Sequence, residues 1–141
     1  MNKSALKRFA TSMRLELIHV VTTKIDFLLS QSYKDNLALY NSNKDAITKI
    51  EERFTKEKEE FIEEVAYTWF NRLIALRFME INEYLPTGVR VLSSIENGKT
   101  EPDIIKEALN VDLDIDKELV YKLIDKNDTE DLYKYLIIKQ C

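Results

Sequence analysis

Apolar residues recur at intervals of three and four along the beginning of the chain. This spacing places them on one face of a helix and predicts an amphipathic helix from about Ser4 to Leu29. The residues of this face are Leu6, Phe9, Ala10, Met13, Leu17, Val20, Val21, Ile25 and Leu28. The run Asn41–Asn43 predicts a turn, in which Ser42 or Asn43 caps the next helix by accepting hydrogen bonds from its free N–H groups.

A second helical pattern occupies residues 44–84, which contain neither glycine nor proline. One continuous helix of that length would extend about 60 Å at about 1.5 Å per residue, which is too long for a compact domain of this size. We therefore expect a break or bend near Thr55–Lys58, and a short coiled-coil arm is the alternative. From Phe61 onward, apolar residues cover most of the helix circumference, which is typical of a central, buried helix.

Polar residues within that apolar helix need partners if they are buried. Arg77 and Glu80 are three residues apart and can form an ion pair. We expect an interaction surface or a buried polar network from Trp69, Asn71, Arg72, Arg77, Glu80 and Arg90. Four aromatic residues of the same stretch offer either a platform for stacking nucleic-acid bases or part of the core, and their helical spacing favours the core: Trp69, Phe70, Phe78 and Tyr84.

Shorter elements follow Pro86 and Gly88, which end the apolar helix. Alternating β-branched residues predict a short extended segment near 89–92, and three short helices follow, the second capped by Asp116. The whole pattern predicts an all-α helical bundle with a long central buried helix, a single domain over 1–141 in which 96–141 forms a small acidic helical subdomain. The last residues, Leu132–Cys141, stop in mid-pattern, from which we expect the front piece of a longer protein.

Composition and charge narrow the function classes. Glycine and proline each occur only twice in 141 residues, so the chain has no glycine-rich phosphate loop. The formal net charge of −4 argues against a dedicated nucleic-acid arm. The charge is uneven: residues 1–30 carry five basic and two acidic side chains, whereas residues 96–131 carry twelve acidic and five basic ones. Any contact with DNA is therefore expected from the first half, or from around Arg72, Arg77 and Arg90.

Candidate chemistry is sparse. His19 is the only histidine and Cys141 the only cysteine, so the sequence has neither a zinc site nor a disulfide, which fits a reducing cytoplasm. Asp112, Asp114 and Asp116 resemble the start of a calcium loop, but Lys117 and Leu123 stand where that loop needs glycine and glutamate. No apolar run is long enough to cross a membrane. We expect no catalytic, cofactor-binding or metal-binding residue in this chain.

One stretch resembles a known family. It comprises Tyr67–Glu80 (YTWFNRLIALRFME), followed by Tyr84–Pro86 and Val89–Ser94, with weaker similarity at Asn2–Lys7 and Leu132–Cys141. It is similar to the N-terminal region of the adenine-specific DNA methyltransferases of bacteriophage-exclusion (BREX) systems, the PglX type. The resemblance implies a much longer cytoplasmic enzyme that transfers a methyl group from S-adenosylmethionine to adenine N6 in DNA as part of phage defence.

The family's catalytic Asn-Pro-Pro-Tyr type motif is absent from this sequence, since Pro86 follows Leu85 and Pro102 follows Glu101. The resemblance therefore implies a non-catalytic helical domain that binds no cofactor itself and belongs to an enzyme that uses S-adenosylmethionine. Its expected partners are its own catalytic domain, DNA and other phage-defence proteins, without a membrane. The alternative is a stand-alone interaction module that forms a homodimer through the face from Ile47 to Phe61.

Overall fold

The computed structural model describes residues 2–141, and within them it contains seven α-helices and no β-strand. The helices are α1 (Lys3–Leu28), α2 (Gln31–Asp35), α3 (Leu37–Lys56), α4 (Lys58–Ile81), α5 (Asp103–Lys106), α6 (Lys117–Asp125) and α7 (Thr129–Gln140). The predicted all-α class is confirmed. None of these helices is both long enough and apolar enough to cross a membrane.

The chain divides into two compact units, the first extending to Asn71 and the second comprising Arg72–Cys141. Helix α4 contributes residues to both units. The acidic segment 96–141 lies wholly within the second unit, which begins earlier in the sequence.

The core of the first unit forms where α1 meets the first part of α4. Its buried residues are Val21, Ile25, Phe61, Ile62 and Ala66, with Ile50 and Phe54 of α3 packed against them. Arg53 of α3 lies over the ring of Phe61 and makes two hydrogen bonds to the Glu64 carboxylate, at 2.8 and 3.3 Å. This planar, two-point contact ties α3 to α4 at the edge of the core.

The predicted turn at Asn41–Asn43 is wrong, because these residues lie inside α3. Two of the side chains donate hydrogen bonds to backbone carbonyl groups one turn earlier in the helix. The Ser42 hydroxyl donates to the carbonyl of Ala38, and the Asn43 amide donates to the carbonyl of Leu39. The turn comes earlier. Ser30 caps α2 and Asn36 caps α3, each through its side-chain oxygen.

The predicted break near Thr55–Lys58 is confirmed at Glu57, where φ is −142° and ψ is 51°. The backbone N–H of Glu57 still donates to Arg53, and its carbonyl accepts from Phe61, both at 2.8 Å. The helical path is therefore interrupted between α3 and α4 while both backbone groups of Glu57 remain hydrogen-bonded.

The second unit has its own core, built by the end of α4, the loop after it, and α5 to α7. Its buried residues are Leu76, Leu85, Val91, Ile104, Ala108, Val120, Leu132 and Leu136. Asp116 caps α6 and Asp128 caps α7, and the residue before that second cap, Asn127, has a φ of 56°. The cap at Asp116 is the one that the sequence predicts.

No strand forms at residues 89–92, for which the sequence predicts a short extended segment. The N–H groups of Val91 and Leu92 instead donate to the side chain of Glu80. A carboxylate thus takes the place that a neighbouring strand would have in a sheet.

Candidate functional site

The predicted polar network centres on Glu80, which is only 2% exposed. Glu80 lies one residue before the end of α4 and carries the carboxylate into the loop that follows. One carboxylate oxygen, Oε1, accepts from Arg77 at 2.6 Å and from the Ser93 hydroxyl at 3.0 Å. The other, Oε2, accepts from the backbone N–H groups of Val91 at 2.9 Å and Leu92 at 2.8 Å. Four donors therefore saturate this buried charge.

These contacts decide the charge state of Glu80. Burial acts to raise the pKa of its carboxyl group, but hydrogen bonds from Leu92, Arg77, Ser93 and Val91 outweigh burial and hold the pKa below its ordinary value. Glu80 is thus ionised at neutral pH and fully hydrogen-bonded. Such a group fixes the position of the loop and is a poor general base, because its oxygens are already occupied.

Ser93 links Arg77 of α4 with Arg90 of the loop that follows. Its hydroxyl oxygen accepts hydrogen bonds from Arg77 at 2.8 Å and from Arg90 at 3.4 Å, and its O–H group donates one to the carboxylate of Glu80. The structure therefore unites Arg77, Glu80 and Arg90 of the residues singled out in the sequence. The Arg77–Glu80 pair is the one that their spacing predicts.

The other three residues of the predicted set lie earlier on α4. Trp69 is half-buried and Asn71 is exposed, both in the first unit, and Arg72 is exposed at the start of the second. Trp69 and Arg72 both have interaction partners. The set thus divides between the two units.

The hydrogen bonds that hold the loop after α4 were not predicted from the sequence. The Tyr133 hydroxyl of α7 donates to the carbonyl of Val91 at 2.9 Å, and the Asp103 carboxylate accepts from the N–H of Ile95 at 2.9 Å. A buried glutamate requires hydrogen-bond donors, but no local pattern in the sequence shows that Val91, Leu92 and Ser93 supply them.

A cavity of about 420 Å³ lies beside this network, lined by Glu80, Glu83, Leu85, Gly88, Val89, Arg90, Ile95 and Asp103. Its charged residues are three carboxylates and one arginine, and the carboxylates of Glu80 and Asp103 already accept hydrogen bonds from the chain itself. Among residues 2–141, no group of His, Cys, Asp or Glu is arranged to hold a metal ion. The geometry around Glu80 is thus that of a structural support.

The outer side of α4 in the second unit carries an exposed apolar surface, the α4 patch, formed by Ile74, Phe78, Ile81 and Tyr84. These residues are 42%, 59%, 53% and 63% exposed. Spacings of four and three put Ile74, Phe78 and Ile81 on one helix face. The rings of Phe78 and Tyr84 meet edge to face, with centroids 6.0 Å apart, so the patch continues past the helix end.

The α4 patch corrects two expectations. Leu76 and Glu80 face the core on the other side of α4, so the helix is apolar on two sides but buried on only one of them. Burial around most of the circumference is therefore not found. Phe78 and Tyr84 were expected in the core and are exposed, whereas Trp69 and Phe70 are half-buried. Helical spacing gives the face on which an apolar residue lies, but not whether that face is covered.

Methyltransferases from two bacteria are similar to this chain. The adenine-specific methyltransferase PglX of Lacticaseibacillus casei (strain Zhang) is 36% identical over 176 alignment positions, which cover all of this chain and 15% of the relative. The adenine-specific methyltransferase BrxX of Escherichia coli O9:H4 (strain HS) is 40% identical over 86 positions, which cover 59% of this chain and 7% of the relative. No family model and no solved structure matches the chain.

The chain is a relative of the PglX and BrxX adenine-specific methyltransferases. The family resemblance seen in the sequence is thereby confirmed. Because the chain spans only 15% of the PglX relative's length, it corresponds to one region of such a protein, which agrees with the expected N-terminal one.

Proposed function

We propose that this chain is a non-catalytic helical region of an enzyme that transfers a methyl group from S-adenosylmethionine to adenine N6 in DNA. The enzyme acts in the cytoplasm, in phage defence of the BREX type. Within it, the chain docks against the catalytic domain through the α4 patch and supports it. Its relationship to the PglX and BrxX methyltransferases supports the reaction, and the exposed α4 patch supports the docking role.

The composition of the α4 patch favours docking onto protein. Single exposed apolar residues are ordinary, but this surface joins two aliphatic and two aromatic side chains without a break. Tyr and Phe are enriched at the centres of protein interfaces, as is Arg, and the half-exposed Arg77 lies one residue before Phe78. The occupant is the remainder of the same enzyme, since the PglX relative is several times longer than the aligned region.

The residues of this chain do not fit S-adenosylmethionine. Its two glycines, Gly88 and Gly98, adopt positive φ values of 68° and 81° in the loop after α4, where no strand leads into a helix. Neither turn thus has the strand–loop–helix form of a glycine-containing cofactor loop. In the proposed enzyme, we assign cofactor binding and methyl transfer to other domains.

Self-association through the face from Ile47 to Phe61 has less support. Ile47 is 2% exposed and Phe61 is 8% exposed, so the residues at both ends of that face are buried within the chain. A second copy would have to bind elsewhere.

The docking proposal is tested in the complete product of the gene, with Phe78→Ser and Ile81→Ser combined. The matched control is Lys44→Ser combined with Lys49→Ser, two exposed positions on α3. We expect the patch variant to melt at a lower temperature and to lose adenine methylation of DNA on mild heating, with the KM for S-adenosylmethionine unchanged. The control should behave like the unaltered enzyme.

Equal melting temperatures and equal methylation for the patch variant and the unaltered enzyme would overturn the docking role. A lowered melting temperature in the 141-residue chain alone would also count against it, because the patch would then belong to the chain's own core.

A further inference from the structure

The first half of α1 presents cations and hydroxyl groups on exposed side chains. We call this surface the α1 basic face and define it by Lys3, Ser4, Lys7, Arg8, Thr11 and Ser12, all of which are exposed. Five of the six line a shallow groove of about 460 Å³, together with Leu15. The groove is thus bordered by two cations and three hydroxyl groups within three turns of helix.

The positive charge of this surface is not compensated nearby. Residues 2–15 contain no acidic side chain. Arg14, the next basic residue, is paired with Glu63 at 2.8 Å, but Lys3, Lys7 and Arg8 form no ion pair within residues 2–141. Three cations therefore remain available to an external anion.

We propose that the α1 basic face binds the phosphate backbone of duplex DNA. Lys, Arg, Ser and Thr side chains are the groups that commonly contact phosphate and sugar oxygens of DNA. Lys and Ser are depleted from protein–protein interfaces, which makes a protein partner a poorer fit for this surface. The choice of DNA rests on the proposed function, since a DNA-modifying enzyme must hold the duplex around the base on which it acts.

The dimensions of the surface suit this ligand. From Lys3 to Ser12 the helix rises about 13 Å at about 1.5 Å per residue, close to the width of about 12 Å of the major groove of B-DNA. The three cations of the face lie between Lys3 and Arg8, within about 7.5 Å at about 1.5 Å per residue, so they can contact phosphates on one rim of the groove, and the hydroxyl groups of Thr11 and Ser12 continue the face beyond them. Because contacts to phosphate carry no sequence information directly, binding is expected to depend little on sequence.

The acidic excess of the chain lies outside α1. Residues 96–131, which belong to the second unit, carry twelve acidic and five basic side chains, whereas residues 1–30 have a surplus of basic ones. Salt screens exposed charges over about 8 Å at physiological ionic strength, so the charges next to the face contribute most to contact.

The test neutralises the face with Lys3→Gln, Lys7→Gln and Arg8→Gln together. The matched control is Lys44→Gln, Lys49→Gln and Lys56→Gln on α3, which removes the same charge from exposed lysines. Binding of the 141-residue chain to a labelled duplex of about 25 base pairs is followed by fluorescence anisotropy between about 50 and 200 mM salt. Circular dichroism checks that each variant keeps its helices.

We expect the unaltered chain and the control to bind, with affinity falling about 40-fold over that fourfold rise in salt if three phosphates are contacted. The neutralised chain should bind more weakly, and the slope of log K against log salt should flatten by about 2.7. Equal losses in both variants, or no binding at the lowest salt, would overturn the proposal. So would binding of phosphatidylserine vesicles in place of DNA, which would mark the face as a membrane surface.

This test uses none of the residues of the α4 patch. Failure of the DNA proposal would leave the docking role intact, and failure of docking would not alter DNA binding by the isolated chain.

Discussion

Arg77 and Glu80 form an ion pair of 2.6 Å in which the side chain of Glu80 is completely buried and that of Arg77 is 48% exposed. Besides Arg77, two backbone N–H groups and a serine hydroxyl donate hydrogen bonds to the buried carboxylate of Glu80. Glu80 therefore links the end of α4 to the loop that runs to α5. Arg77 reaches the surface beside the α4 patch. One hydrogen-bond network therefore sets the positions of both the loop and Arg77.

Replacing Glu80 should destabilise the second unit strongly. Glu80→Gln keeps the shape but turns one acceptor into a donor that faces other donors, and leaves Arg77 without its charge partner. Loss of such a buried, charge-assisted network is expected to lower the free energy of unfolding by about 3 kcal/mol. Urea unfolding followed by circular dichroism measures it. Glu101→Gln, in an exposed loop, is the control and should change stability by less than about 0.5 kcal/mol.

The contribution of Glu80 should depend on pH. Because its pKa in the folded chain lies below the ordinary value of 4.5, its stabilisation is complete above that value and is lost as the pH falls through the folded pKa. The stability difference between the unaltered chain and Glu80→Gln should thus be constant from about pH 7 to 5 and shrink below about pH 4.5. A difference that grows on acidification would show that the carboxyl group is protonated in the folded chain.

Taking this difference also removes the effect of Asp103. Burial acts to raise the pKa of its carboxyl group, but hydrogen bonds, led by the one from the Ile95 N–H, outweigh burial and lower the pKa. Since Asp103 is present in both proteins, its titration cancels.

Tyr133 should matter through its hydroxyl group. Tyr133→Phe removes the hydrogen bond to the carbonyl of Val91, a residue with 0% exposure, and leaves that carbonyl one donor short. We expect a loss of about 1 kcal/mol in the free energy of unfolding. Tyr121→Phe removes a hydroxyl from a side chain that is 53% exposed and should have almost no effect. Equal effects of the two substitutions would contradict the role of the Tyr133 hydroxyl.

The two sides of α4 should respond differently to truncation. Leu76→Ala opens a cavity in the core of the second unit and is expected to cost about 2–5 kcal/mol. Phe78→Ala, on the α4 patch, should cost less than about 1 kcal/mol in the 141-residue chain, because the ring is mostly exposed already. Thermal unfolding of both variants compares them directly. A large loss for Phe78→Ala would place the patch within the chain's own core.

Features that depend on local chemistry could be predicted from the sequence. The length limit on a single helix led to the prediction of a break near Thr55–Lys58, which the structure has at Glu57. The i,i+3 spacing gave the Arg77–Glu80 pair, and Asp116 was recognised as a cap. Ser30 and Asn36 were missed because Asn41–Asn43 offered a stronger turn signal. The side chains of Ser42 and Asn43 bond to carbonyl groups within α3 instead, which helix and turn propensities do not reveal.

Features that depend on long-range contacts could not be predicted. Residues 89–92 have the alternating pattern of a strand. The N–H groups of Val91 and Leu92 donate instead to Glu80, which lies more than ten residues earlier in the sequence. The exposure of Phe78 and Ile81 was hidden for a similar reason. An apolar helix face looks the same in sequence whether its partner lies within the chain or outside it.

The most direct test of the account is the mass of the native gene product in its source cell, measured by immunoblotting with an antibody raised against this chain. The proposed function predicts a product several times larger than 16.6 kDa, because this chain corresponds to 15% of the PglX relative. A native product of 16.6 kDa would contradict the account, since the chain would then lack the domains that bind the cofactor and transfer the methyl group.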